Sequence, residues 1–219
     1  MKLVIIGPVG SGKGTQAQAI SWRLHYSRHS TGDLIRDHVD AGSPLGKELK
    51  GYLGRGEPVP DNIIMHMVVP LLYPGGGFIL DGCPLNMLQA RTLDEAFERR
   101  RGGPSRVLML DGPTDDELID RVLGGRLVSK TTNYTYHEKY NPPPSPSDKT
   151  DPGPFVRPSD DTEMALRRRL AAYRKEADAL REHYEKRGVL ALIDARQPIE
   201  KVTQDIFEAI DNPPQQTTE

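Results

Sequence analysis

The chain has a single cysteine, Cys83, in 219 residues. It can therefore form neither an internal disulfide nor a cysteine-ligated metal cluster. No apolar run approaches the ~18–20 residues that a membrane span requires. Neither sign of charge dominates, since 29 Lys+Arg stand against 31 Asp+Glu for a formal net charge of −2. General attraction to nucleic acid or to an anionic membrane is not expected from that balance. The opening MKLVIIG is too briefly apolar for a secretion signal and has no small-residue cleavage site, so a cytoplasmic location is expected. Hydrophobic residues make up only 36%, against 21 Gly and 19 Pro. Part of the chain is thus expected to be loop, lid or tail, and the length fits one domain with small inserted lobes.

What is present has an alternating rhythm. Lys2–Ile6 is a short apolar run ending at Gly7, which reads as a buried parallel strand. Residues 78–80, 107–110 and 189–193 are further short strands, each ending in an Asp or Asp-Gly turn signal. Helical patterns fill residues 15–25, 87–100, 115–123 and 163–186. Strands alternating with helices predict an α/β fold, a three-layer body around a central parallel sheet of about five strands. Two stretches break the rhythm. Residues 30–60 are helical but polar and punctuated by Gly. Residues 124–161 are rich in Pro, Ser, Thr and Asp, and so long a non-core stretch reads as a lid or linker. Residues 212–219 read as a frayed tail.

Between the first strand and the first helix lies Gly7-Pro8-Val9-Gly10-Ser11-Gly12-Lys13, the G-x4-G-K spacing of a phosphate-binding loop. Several backbone N–H groups must converge on one anion there, which favours glycine. The following helix adds its positive N-terminal end, and Lys13 adds a mobile cation. The general motif expects Ser or Thr directly after the lysine. Here that position is Gly14, followed by Thr15, which suggests that magnesium is held differently.

The string GPVGSGKGTQAQ, followed by Ser30-Thr31-Gly32-Asp33-Leu34-Ile35-Arg36, resembles the adenylate kinase family. So do Asp81-Gly82-Cys83-Pro84, Gly125-Arg126-Leu127, Tyr136-His137 and the Asp160-Asp161 pair ahead of Arg169. These motifs run in the family's order from residue 7 to about residue 198. The resemblance implies a P-loop core (1–29, 60–123 and 162–211), an NMP-binding lobe (30–59) and a lid (124–161). It also implies reversible phosphoryl transfer from ATP to AMP with magnesium, in a monomer whose lobes swing. The two inserted lobes coincide with the stretches that broke the rhythm.

Carried over position by position, the resemblance implies that Gly10, Ser11, Gly12, Lys13, Gly14 and Thr15 hold the ATP phosphates. Tyr136 and Gln197 would lie on the ATP side. Thr31, Gly32, Arg36, Glu57, Val59, Gly82, Leu85 and Gln89 would face AMP. Arg121, Arg126, Arg157 and Arg169 would clamp the phosphoryl groups, with Arg121 and Arg126 on ATP and Arg169 also reaching AMP. Asp33 and Asp81 would organise magnesium through water. The lid has no cysteine quartet, so no structural zinc is expected; Ser129, Thr132 and Asp151 are expected to bond to one another. Two positions depart from the pattern. Leu85 stands where the family has an arginine that reaches the acceptor and the moving phosphoryl group. Pro158 stands where a lid arginine is expected, and Arg157 is its only cationic neighbour. Loss of a phosphoryl-directed arginine can cost on the order of 10³–10⁵ in rate. The rivals are therefore a nucleotide-binding protein with weak or no transfer and a kinase for another acceptor.

Overall fold

A computed structural model describes residues 1–55, 57–72, 76–99, 102–145 and 149–212. The expected tail lies, from residue 213 on, outside the described residues. The strands are β1 (Lys2–Ile6), β2 (Ser27–Ser30), β3 (Phe78–Asp81), β4 (Arg106–Asp111), β5 (Arg126–Ser129), β6 (Thr135–His137), β7 (Phe155–Val156) and β8 (Leu190–Asp194). The helices are α1 (Lys13–Leu24), α2 (Thr31–Asp40), α3 (Pro44–Arg55), α4 (Asp61–Val68), α5 (Met87–Glu98), α6 (Asp115–Leu123), α7 (Glu163–Lys186) and α8 (Ile199–Asp211). No described helix is long and apolar enough to cross a membrane.

Five strands form the parallel central sheet in the order β2-β3-β1-β4-β8. Successive side chains of a strand point to opposite faces, so each apolar run supplies two cores. Val4 and Ile6 join Leu80, Val107 and Met109 beneath α4, α5 and α7. Leu3 and Ile5 join Ile79, Leu108 and Leu110 beneath α1 and α8. Complete burial of side chains this size contributes about 1.5–3 kcal/mol each. The expected α/β architecture is therefore what the chain adopts.

Strand β2 is absent from the sequence reading. Its residues, Ser27-Arg28-His29-Ser30, include no apolar or β-branched side chain. It is a strand because it lies at the sheet edge and pairs with β3 from Ser27↔Phe78 to Ser30↔Asp81. Helices α4 and α8 were also unread, although Val202, Ile206, Phe207 and Ile210 of α8 are buried at helical spacing.

Residues 30–60 contain α2 and α3, packed closely enough that a Cβ on Gly46 would come within 1.9 Å of the His38 carbonyl. Strands β6-β5-β7 form a separate antiparallel sheet. Asp151 is buried beside it and accepts from Ser129 Oγ (2.6 Å), Thr132 Oγ1 (2.6 Å), Tyr136 Oη (2.9 Å) and the Gly153 N–H (3.2 Å). The expected mutual bonding of Ser129, Thr132 and Asp151 is present. Hydroxyls around one carboxylate are not a zinc donor set.

Candidate functional site

In an open parallel sheet, ligands gather at the carboxyl ends of the strands where the order reverses. Here β1 lies between β3 and β4, and its carboxyl end runs into the glycine loop. A cavity of about 1190 Å³ opens there. Gly10, Ser11, Gly12, Lys13, Gly14 and Thr15 all line it. Gly10 has a φ of 83°, and a Cβ there would lie 2.6 Å from the Leu118 carbonyl, so only glycine lets the loop pass. Ser11 Oγ is buried with no partner among the described residues. The Lys13 ammonium donates to the Pro8 carbonyl at 2.7 Å. Removal of this ammonium from water lowers its pKa from 10.5 to about 8, opposed by attraction to Asp81.

Asp81, at the end of β3, is buried, and that burial raises its pKa against the pull of Arg28 and Lys13. Ser30 caps α2 by accepting from the Asp33 N–H at 3.3 Å, which turns Asp33 toward the same wall. Arg28 donates to Asp33 and, at 3.5 Å, to Asp81. Arg36 donates to the other Asp33 oxygen. The Arg36 Nε is buried and has no partner among the described residues.

One end of the cavity is bordered by Thr31, Gly32, Arg36, Glu57 and Val59. Gly82, Leu85 and Gln89 continue that wall. Thr31 Oγ1 donates to the Gly82 carbonyl at 3.2 Å. The Gln89 amide is already engaged, donating to Asp61 at 2.6 Å and accepting from the Leu85 N–H at 2.8 Å. Leu85 is 41% exposed. The other end is bordered by Arg121, Tyr136 and Gln197. Arg121 donates to the Ala195 carbonyl at 2.8 Å, and Gln197 donates to Asp205 at 2.8 Å. Tyr136 contributes its ring, because its hydroxyl is bonded to Asp151.

Arg126 and Arg169 also line the cavity. Arg126 Nη1 donates to both oxygens of Asp161 at 2.8 and 2.9 Å, and Arg169 donates to Asp160 at 2.5 Å. A carboxylate pair at the foot of α7 thus fixes two phosphate-type donors, whose planar groups suit phosphate oxygens.

A model of the family described as adenylate kinase matches residues 5–189. The chain belongs to the adenylate kinase family. It is 38% identical over 214 residues to the adenylate kinase of Moorella thermoacetica, covering 96% of this chain and 98% of that protein. It is 35% identical over 214 residues to the adenylate kinase of Streptomyces coelicolor, with the same coverage. The adenylate kinase of Malassezia globosa is 37% identical over 219 residues, covering 97% of this chain and 85% of that protein.

Within this adenylate kinase fold, every residue expected at the site lines the cavity except Arg157. Arg157 is half-exposed and turned away, donating to Glu138 at 3.1 Å and to the Leu123 carbonyl at 3.2 Å. Arg157 is thus the one expected site residue that does not line the cavity, its guanidinium being paired with Glu138. It follows the two-residue strand β7 and precedes Pro158, which restricts its backbone, and Glu138 supplies a nearby counter-charge. Asp33 and Asp81 are hard oxygen donors side by side on the cavity wall. That donor set fits a magnesium ion, which takes one or two carboxylates beside substrate phosphates. Arg28, which lines the cavity, and the Asp160–Asp161 pair, which holds Arg169 and Arg126, were not among the site residues expected from the sequence. Arg28 sits in a polar tetrapeptide with no periodic signal, and the Asp pair entered only as part of the family-like motif ahead of Arg169.

Proposed function

We propose that the chain transfers the terminal phosphoryl group of Mg·ATP to AMP, reversibly, giving two ADP. The observation that carries this reading is a single cavity with the phosphate loop and Lys13 on its floor. Arg36, Arg121, Arg126 and Arg169 line the same cavity. In the reaction, the bond from the γ-phosphorus to the bridging oxygen of ADP breaks. A bond from that phosphorus to an oxygen of the AMP phosphate forms. The acceptor is already an anion, so no general base is needed. Catalysis then consists of holding two polyanions in line and stabilising the charge between them.

The loop N–H groups and Lys13 hold the donor phosphates, and Arg36 holds the acceptor phosphate. Arg126 and Arg169, fixed by their aspartates, face the moving group. Magnesium, when bound through Asp33 and Asp81, neutralises phosphate charge. Residues 30–59 and 124–161 act as two closing lobes that keep water from taking the phosphoryl group. The working form is a cytoplasmic monomer, and a stable dimer in sedimentation velocity would overturn that part.

The deciding experiment is ADP formation from Mg·ATP with a panel of nucleoside monophosphates, run on the chain and on Leu85→Arg in parallel. Fast turnover with AMP preferred is expected. A half-exposed Leu85 inside the cavity favours one rival, a nucleotide binder with little transfer. Turnover near background that Leu85→Arg restores would establish that rival, and a preferred acceptor other than AMP would overturn the substrate.

A further inference from the structure

The guanidinium of Arg28 has no role in the reaction as described, yet its side chain is only 8% exposed and faces the cavity. It contacts three parts of the molecule at once. It donates to Asp33 at the start of α2, to Asp81 at the end of β3 (3.5 Å) and to the Asn133 carbonyl between β5 and β6 (2.8 Å). It also lies 5.9 Å from the centre of the Tyr134 ring. With Arg36 on the remaining Asp33 oxygen, three of the four oxygens of Asp33 and Asp81 accept from a guanidinium.

A magnesium ion held by these two carboxylates through water would need their oxygens as acceptors too. Water ligands and guanidinium N–H groups are both donors, and they compete for the same lone pairs. A resident cation has a second effect. Two neighbouring carboxylates repel incoming phosphates, and Arg28 cancels part of that repulsion before any metal arrives.

We propose that Arg28 is a positioning residue that competes with the magnesium water shell for Asp33 and Asp81 and so sets the free magnesium that the bound nucleotides require. The proposal rests on the phosphoryl-transfer reading above. It predicts opposite changes when the guanidinium is lost. Metal-free nucleotide binds more weakly, because two carboxylates are uncovered. Magnesium then acts at lower concentration, because its competitor is gone. A merely structural role would weaken both together.

The experiment uses the full chain and a dinucleotide of two adenosines joined by five phosphates, which spans both ends of the cavity. Its affinity is measured calorimetrically over a series of free magnesium concentrations. The parent, Arg28→Gln and Arg28→Lys are compared, and melting curves without ligand establish that each is folded. The expected result for Arg28→Gln is weaker binding in chelator and a magnesium midpoint about tenfold lower, the factor for losing one charge-assisted contact. Arg28→Lys keeps the charge without the fork and falls between; if Arg28→Gln does not fold, a lowered midpoint in Arg28→Lys carries the test. An unchanged midpoint in the folded variants overturns the role of Arg28 and leaves the transfer reading intact. Binding that magnesium does not affect in any of the chains, parent included, overturns the metal role of the two aspartates, and this inference with it. A parent that does not bind the dinucleotide overturns the transfer reading itself.

Discussion

Lys13 combines two demands that pull against each other. The cavity must be dry enough for its charge to count, and dryness itself lowers its pKa to about 8. The unfolded chain holds this proton up to the ordinary value of 10.5, so between about pH 8 and 10.5 it binds more protons at this group than the folded chain. The buried charge therefore destabilises the fold fully below pH 8, and that cost is relieved as pH rises through the window. A bound phosphate restores the ammonium, so nucleotide binding at about pH 8.5 is accompanied by proton uptake. Calorimetry in two buffers of different ionisation enthalpy measures it; equal heats would show that Lys13 is already charged in the empty site. Lys13→Met abolishes the uptake and lowers kcat by about 10²–10³, the cost typical of losing one preorganised donor to a transition-state oxygen. Its melting temperature is expected to rise relative to the parent below pH 8, where the buried charge is a cost, and the difference shrinks as pH rises toward 10.5.

At the scale of elements, the three-stranded sheet β6-β5-β7 has little apolar burial and is tied together by Asp151. Val128 and Tyr136 are its buried hydrophobic residues. Asp151→Ala leaves two hydroxyls and the Tyr136 phenol without their acceptor, at about 1–3 kcal/mol for each group that stays buried and unpaired. The expected outcome is local. Amide exchange quickens by more than about tenfold across β5, β6 and β7 while β1 and β4 keep their protection. Equal loss of protection everywhere would mean that this sheet and the core unfold as one unit. The elements also differ in how legible they were. Strands β1, β3, β4 and β8 are short apolar runs ended by turn residues, and helix α7 was read with the bounds it has. Strand β2 could not be read, since pairing with β3 makes it a strand and side-chain pattern does not. The site divides in the same way. The phosphate loop is a local motif and was legible as one. The acceptor-side residues came only with the family resemblance, because α2, the loop after α3 and the end of β3 are distant in sequence. The pairing of Arg157 with Glu138 was not legible, because its sequence position beside Pro158 says nothing of it.

For the whole molecule, several contacts join the segments around the cavity. Lys130 pairs with Asp40, Asn133 donates to Asp37 at 3.1 Å, and Arg168 donates to the Arg55 carbonyl at 2.8 Å. The Lys130–Asp40 pair is exposed on both sides, and such pairs contribute about 0–1 kcal/mol. Lys130→Ala is therefore expected to change kcat/KM by less than about threefold in steady-state assays. A larger loss would mean that this contact governs closure. A dinucleotide that touches both ends of the cavity binds only the folded chain. At 100 times its Kd it adds about 2.7 kcal/mol of stability, seen as a rise in melting temperature that grows with ligand concentration. No rise with a ligand shown to bind would mean that the unfolded chain binds it too.

The polarity that hid β2 from a sequence reading also determines how the sheet meets its surroundings. An edge strand exposes unpaired N–H and C=O groups that can recruit a strand from another chain, and proteins deter this with charge and with the absence of sticky side chains. Ser-Arg-His-Ser offers an incoming strand no apolar face to cover, and its one full charge is already committed inward to two aspartates. The side of the sheet that serves the cavity is thereby a poor template for aggregation. Making β2 more strand-like with valines would strengthen its pairing with β3 and at the same time open a path to fibre formation.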